Sequence, residues 1–251
     1  MCNISVVIPV YNCRSVIVST INHVKSIIEA IDEDYEIIVV DDGSYDNTHI
    51  VAREHFEDDD RIKVISYYPN MGKGYAVKRG ILASNGEKIV FLDGDMEIDA
   101  KVINRYIDAL DDYDIVIASK YHKDSRVKSP LSRRFLSLAF NTLVKALLSI
   151  DVSDTQAGLK AGRKEAFKRI FKAVLVKRYA FDVEMLAIAR LLDCKILEMP
   201  VNITLGKRFK LNEIIRMFVD ILGIAYRLRI LRWYQSNLDH EESRYKPILP
   251  I

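Results

Sequence analysis

Two carboxylates set around a glycine, Asp93-Gly94-Asp95, are the side chains of this sequence best placed to do chemistry. The apolar run before them, 88–92, reads as a strand that releases them at its end. Residues i and i+2 of an extended chain point the same way, so Asp93 and Asp95 can converge on one point. Converging carboxylate oxygens suit a hard divalent cation, and such a cation neutralises a diphosphate. A bare D-x-D is more often a solvated Asp-Gly turn, so neighbouring segments must decide. Asp41-Asp42-Gly43-Ser44 follows another apolar run. A carboxylate there can accept from the N–H groups of a nucleotide base, while Ser44 or Asp46 could cap the helix that follows. Asn70-Met71-Gly72-Lys73-Gly74 opens a further helix, where backbone N–H groups and the helix N-terminus favour an anion. It lacks the Gly-Lys-Ser/Thr element of a Walker A loop, and an ordinary glycine turn is an equal reading.

Positioning these groups requires an alternating scaffold. Strand-like runs at 4–10, 35–40, 62–67, 88–92 and 115–118 alternate with helical stretches near 16–30, 47–56, 75–84 and 101–110. That order predicts an α/β fold: a mostly parallel sheet, helices on both faces, and a site at the carboxyl ends of the strands. The informative loops, including Pro9-Val10-Tyr11-Asn12, all fall at such ends. Beyond Ser119 the pattern gives an amphipathic helix over 130–149 and a polar turn at Asp154-Thr155-Gln156-Ala157-Gly158. Helices near 164–171 and 181–191, a strand near 195–203, a long helix over 212–234 and a loose acidic tail from Asp239 follow.

Composition narrows the classes. At 251 residues and 49% hydrophobic, the chain is one large α/β domain or a domain with a tail. Its three cysteines, Cys2, Cys13 and Cys194, are widely spaced, which suggests a reduced compartment and no zinc site. A net charge of +2 calls for no nucleic-acid partner. The distribution is uneven: five basic and no acidic residues over 126–150, and seven basic against two acidic over 206–234. No basic leader precedes the first strand, and neither apolar helix reaches the roughly 18 uncharged residues of a span. A membrane would therefore be met at its surface. Around the last helix Glu213, Arg216, Asp220 and Arg227 share a narrow face, while Ile214, Met217, Phe218, Ile221, Leu222, Ala225 and Leu228 cover the other. With a bend near Tyr226, or with Arg229 and Arg232 snorkelling from the apolar side toward headgroups, and with Trp233 and Tyr234 as interfacial anchors, this predicts a helix lying in an anionic membrane surface. A helix packed on the domain, or in a homodimer, is the alternative.

Val6-Val7-Ile8-Pro9-Val10-Tyr11-Asn12, Asp41-Asp42-Gly43-Ser44, Gly72-Lys73-Gly74, Asp93-Gly94-Asp95, Asp154-Thr155-Gln156-Ala157-Gly158 and Phe181-Asp182-Val183-Glu184-Met185 occur in that order. Over roughly residues 3 to 210 the chain resembles a family-2 inverting glycosyltransferase of the GT-A fold, and within it the polyprenyl- or dolichyl-phosphate mannose or glucose synthases. The resemblance implies a catalytic domain over 1–210; the helical pattern and composition beyond it add an amphipathic membrane-surface segment over 211–236 and a loose tail over 237–251. It implies a nucleotide-sugar donor, UDP-glucose or GDP-mannose, held by Pro9, Tyr11, Asn12, Asp41, Asp42, Gly43, Lys73 and Gly94. Arg208 and Lys210 would close over the diphosphate. Asp93 and Asp95, with Glu97 as a further ligand, would hold Mg2+ or Mn2+. Lys120, Arg133, Arg134 and Ser137 would bind the phosphate of a polyprenyl acceptor, and location would be peripheral, on the cytoplasmic face of a membrane. Cys13 stands where the family usually has an acid, and the Asp154 and Phe181 segments lean toward the glucose-type synthases. A lipid-phosphate nucleophile is already anionic and needs little base help; a sugar hydroxyl acceptor would need a base, for which Asp154 is the candidate. A nucleotidyltransferase is excluded by the missing glycine-rich N-terminal loop, and a non-catalytic nucleotide-sugar-binding role is the remaining alternative.

Overall fold

The computed structural model describes residues 2–94, 102–128, 131–204 and 211–238. Strands β1 (Ile4–Val10), β2 (Tyr35–Asp41), β3 (Ile62–Ser66) and β4 (Lys88–Leu92) alternate with helices α1 (Ile17–Glu29), α2 (Thr48–His55) and α3 (Lys73–Ala83). Then follow α4 (Ile103–Ala109), β5 (Ile115–Ser119), β6 (Arg126–Lys128), α5 (Leu131–Leu148), β7 (Leu159–Arg163) and α6 (Lys164–Ala173). The described chain closes with α7 (Phe181–Leu191), β8 (Ile196–Pro200), β9 (Asn202–Thr204) and α8 (Leu211–Arg229). The main sheet has the order β3-β2-β1-β4-β7-β5-β8, and β6 pairs with β9 in a separate ribbon. The mostly parallel α/β expectation is met.

Central strands are buried on both faces, so β1 and β2 read as continuous apolar runs rather than alternating ones. Alternate residues feed two cores. Val7, Ile38 and Phe91 join a cluster with α3, α6 and α7, whereas Val6, Ile8 and Val90 join one with α1 and α4. The polar Ser5 and Glu36 in these strands are satisfied by one another at 2.6 Å, with Lys63 on Glu36 at 2.7 Å.

Three expectations need correction. The turn at 154–158 is followed not directly by a helix but by β7, which inserts antiparallel between β4 and β5. The single strand expected over 195–203 is split: β8 belongs to the main sheet and β9 to the ribbon with β6. The last helix neither bends at Tyr226 nor runs to Tyr234; it stops at Arg229, Arg232 takes φ 48°, and a short helical stretch over 233–238 folds back.

That fold-back changes the face the segment presents. Met217, Ile221, Ile224 and Leu228 pack into the core, while Ile215, Phe218, Val219, Leu222 and Tyr226 form an exposed apolar stripe on the opposite side of α8. Tyr234 is wholly buried and Trp233 is packed against the core, so neither is an interfacial anchor. Arg227 is likewise not a solvated charge: it pairs with Glu184 of α7 at 3.2 Å. Among the described residues no helix is long and apolar enough to cross a membrane.

Candidate active site at the carboxyl ends of the strands

β1 lies beside β2 on one edge and β4 on the other, so the chain reverses its direction of growth between β1 and β4. Ligands of open α/β sheets enter at such a switch point. The two strand ends are pressed together there: a Cβ built on Gly94 would stand 2.9 Å from Val10 Cγ1 and 3.2 Å from the Pro9 carbonyl, and Thr20 Oγ1 donates to the Gly94 carbonyl at 3.3 Å. Pro9, Tyr11, Asn12, Asp93 and Gly94 thus share one crevice.

Its β2 wall is tightly organised. Asp41 is fully buried; Oδ1 accepts from the Ser44 N–H at 3.0 Å and from the Ser44 hydroxyl, and Oδ2 accepts from His49 Nδ1 at 2.9 Å. Both oxygens are therefore engaged within the protein. The Asp42 carboxylate reaches across to the loop before α3, accepting from Tyr67 Oη (2.9 Å), Asn70 Nδ2 (2.8 Å), and the N–H groups of Met71 (2.8 Å) and Gly72 (2.8 Å). Burial, then the Asp42 charge, push the Tyr67 phenol up, so it remains a donor. Gly43, at φ 71°, has no room for a side chain, because a Cβ would stand 2.6 Å from the Asn70 nitrogen. Asn12 also has positive φ and is clamped by its N–H to Ser44 Oγ (2.8 Å) and by its Oδ1 to the Tyr45 N–H (3.1 Å). Tyr11 is 46% exposed and meets Tyr45 edge-on, which leaves a ring for a base to approach. Asp46, not Ser44, receives the first helical N–H of α2, from Thr48 at 3.0 Å.

Asp93 follows the last residue of β4 at this switch point. Lys73 Nζ, at the start of α3, lies 2.5 Å from its Oδ1 as an ion pair. That oxygen is nonetheless shielded from water and has no hydrogen bond of regular geometry. A buried carboxylate oxygen held by charge alone is a fitting ligand atom for a cation. Among the described residues no group of three His, Cys, Asp or Glu surrounds such a point. The other expected ligands, Asp95 and Glu97, lie outside the described residues, as do Arg208 and Lys210.

On the far side of Asp93, β7 brings in residues whose place the motifs did not disclose. Because β7 is antiparallel, its first residue faces the last of β4, with Leu159 opposite Leu92. Gly158 therefore lies against the Asp93 carboxylate; a Cβ there would stand 2.6 Å from Asp93 Cγ. Lys160, wholly buried two residues further, donates to Asp182 Oδ1 at 2.6 Å and to the Ala157 carbonyl at 2.7 Å. Burial pushes the Lys160 ammonium down and the Asp182 carboxyl up, each opposed by the attraction of the other. Only the carboxyl-terminal half of this pair belonged to a noticed motif, and nothing in the sequence linked it to Lys160.

The acceptor-side candidates gather at the end of β5. Asp154 is fully buried; it accepts from the Lys120 N–H at 2.9 Å, from Lys120 Nζ at 2.9 Å and from the Gln156 N–H at 3.0 Å. Lys120 is thus spent on Asp154, and Asp154 is not a free base. Tyr121 Oη donates to Ser137 Oγ at 2.9 Å, which ties α5 to this corner. Arg133 and Arg134 lie on the first turns of α5, and their side chains are outside the described residues.

The family model for glycosyl transferase family 2 matches residues 5–171, two-thirds of the chain and nearly every loop just described. The chain belongs to glycosyl transferase family 2. It is similar to the dolichyl-phosphate beta-glucosyltransferase of Dictyostelium discoideum, with 34% identity over 92% of this chain and 76% of that protein. The human dolichyl-phosphate beta-glucosyltransferase is 33% identical over 92% of this chain and 77% of its own length. Among solved structures, glucosyl-3-phosphoglycerate synthase from Mycobacterium tuberculosis with Mn2+ and UDP-glucose superposes with a TM-score of 0.67 at 20% identity, covering 89% of this chain and 78% of that one. At that identity the likeness is one of fold, and it places this family-2 glycosyltransferase in the GT-A architecture expected from its motifs.

Proposed function

We propose that this glycosyltransferase moves glucose from UDP-glucose to a polyprenyl phosphate of the dolichyl type, with inversion, at a membrane surface. The observation that carries the reading is Asp93: a carboxylate oxygen shielded from water, beside Lys73, at the switch point of the sheet. The names of the curated relatives supply the glucose and the lipid phosphate, and the UDP-glucose complex of the structural neighbour supports the donor base.

In the proposed reaction an oxygen of the acceptor phosphate attacks the anomeric carbon from the face opposite the leaving diphosphate. The bond from that carbon to the diphosphate oxygen breaks, and its electron pair leaves with UDP. Asp93, with Asp95 and Glu97, is assigned to hold a divalent cation, Mg2+ or Mn2+, which when bound offsets the charge on the leaving diphosphate. Lys73, at the positive end of α3, is placed to follow that charge from Asp93 to the diphosphate. Tyr11 and the Asp41–Gly43 turn, held rigid by Asn12, Ser44 and the loop before α3, form the nucleoside side. Arg133, Arg134 and Ser137 are assigned to the acceptor phosphate, and Arg208 and Lys210 to the diphosphate.

The state of Asp154 favours a phosphate acceptor over a sugar hydroxyl. A hydroxyl nucleophile needs a base with a free oxygen, and both Asp154 oxygens are occupied by Lys120 and Gln156. An anionic phosphate needs none. The exposed stripe on α8, flanked by the exposed Arg216 and Arg229, supports a peripheral position on an anionic, cytoplasmic membrane face.

A donor and acceptor screen tests the reading. Purified protein with Mg2+ or Mn2+ is offered UDP-glucose, GDP-mannose or UDP-GlcNAc, each with a short polyprenyl phosphate or a glycan hydroxyl. The expected product is a β-glucosyl phospholipid from UDP-glucose. Transfer to the hydroxyl alone, or no lipid product from any donor, overturns it.

A further inference from the structure

The Lys160–Asp182 pair plays no part in the reaction just described, and stability does not account for it. Taking two charges out of water is costly, and a buried pair replaced by uncharged groups of similar volume is often neutral or more stable. Its position is more informative. Lys160 stands opposite Phe91 in the β4–β7 register, two residues from Asp93, with its ammonium 5.5 Å from the Phe91 ring centroid. One of its hydrogen bonds goes to the carbonyl of Ala157, the residue immediately before Gly158. Gly158 is the surface on which the Asp93 carboxylate rests: Oδ2 is the atom nearest to where a Cβ would project, with Cγ at 2.6 Å and the shielded Oδ1 turned away at 3.2 Å. Asp182, in the first turn of α7, holds the ammonium at 2.6 Å from a side chain 5% exposed.

We propose that Lys160 and Asp182 are positioning residues for the cation–diphosphate site. Asp182 fixes Lys160, Lys160 fixes the Ala157–Gly158 peptide, and that peptide sets the direction in which Asp93 presents its shielded oxygen. The ligand class is a divalent cation bound together with a nucleoside diphosphate. The inference rests on the reading of Asp93 as a cation ligand.

The test measures binding by the full chain, with no turnover. Free Mn2+ is followed by electron paramagnetic resonance and UDP by calorimetry, for wild type, Asp93→Ala, the double variant Lys160→Met/Asp182→Asn, and Gly158→Ala. Both the double variant and Gly158→Ala are expected to weaken Mn2+ at least about tenfold. They should weaken Mn2+-dependent UDP binding in parallel, and leave UDP binding without metal unchanged. In an Asp93→Ala background the double variant should cost nothing further, because its effect passes through Asp93. A purely structural role would instead lower the melting temperature and leave the Mn2+ affinity alone. If Asp93→Ala binds Mn2+ like wild type, the cation reading of Asp93 fails. If Asp93→Ala loses Mn2+ while the folded double variant stays within about twofold of wild type, the positioning role is overturned. Asp182→Asn alone, which keeps Lys160 and removes only its carboxylate partner, decides the matter should the double variant not fold: Mn2+ affinity within about twofold of wild type overturns the role.

Discussion

Replacing Phe218 and Leu222 by Asp puts two charges into the exposed stripe of α8 without touching the core-facing stripe of the same helix. The two side chains are 44% and 45% exposed. Full burial of such a side chain contributes roughly 2–3 kcal/mol, so sinking their exposed halves among acyl chains contributes about 1 kcal/mol each. Each new carboxylate is repelled by an anionic leaflet by about 1 kcal/mol. The sum, about 4 kcal/mol, corresponds to a loss of roughly several hundred-fold in the partition coefficient. Flotation with phosphatidylglycerol vesicles reads this directly, and circular dichroism checks that the variant is folded. Ile221→Ala supplies the contrast. It empties a core site, so it should cost about 2–5 kcal/mol of stability and leave flotation of the folded protein unchanged. Undiminished flotation of the double Asp variant would refute the assignment of the stripe to lipid. If the variant instead abolishes self-association of the wild type, as read by sedimentation, the stripe is a homodimer face.

Tyr234→Phe should destabilise the protein by about 1.5–3 kcal/mol in chemical denaturation, since it removes a donor from the fully buried Glu184 carboxylate. Glu184→Ala should cost more, because it strips Arg227, Tyr234 and the N–H groups of Leu175 and Val176 of their acceptor at once. Asp42→Asn should raise the KM for the nucleotide sugar, checked by initial rates. An amide there turns an N–H toward the backbone donors of Met71 and Gly72 and loosens the approach to Lys73. Acid unfolding should carry the mark of Glu36 and Asp59. Burial raises Glu36, but the hydrogen bonds of Lys63, Ser5 and Asn85 outweigh it and hold it below the ordinary value; Asp59 is held at about 2, chiefly by Arg61. Both are depressed in the folded state, so their stabilisation is complete above the unfolded-state values and is lost as pH falls through them toward 2. Glu36→Gln should therefore flatten the acid limb of a stability-versus-pH curve, and an unchanged slope would contradict the assignment.

The sequence determined the frame because its signals there are local. Apolar runs of strand length, each ending in a turn with polar residues, specify β1, β2 and β4 without reference to anything distant. The parallel order then puts Tyr11, Asp42 and Asp93 at one edge. What escaped it depended on partners far along the chain. β7 carries a lysine and a glycine in five residues, which argues against a buried strand. The segment is one only because Asp182, 22 positions later, neutralises Lys160, and because Gly162 admits the Phe167 ring. The periodicity of α8 told how many apolar residues the helix has, but not which of its two stripes faces the core. Packing of Met217, Ile221, Ile224 and Leu228 decided that, and the buried Glu184 drew in Arg227, expected on the charged face of the helix, and Tyr234, expected at the membrane interface. Motif spacing singled out Asp93 as the candidate carboxylate. Only the tertiary structure decided what surrounds it, because a charge can be buried only where the fold brings its counterion.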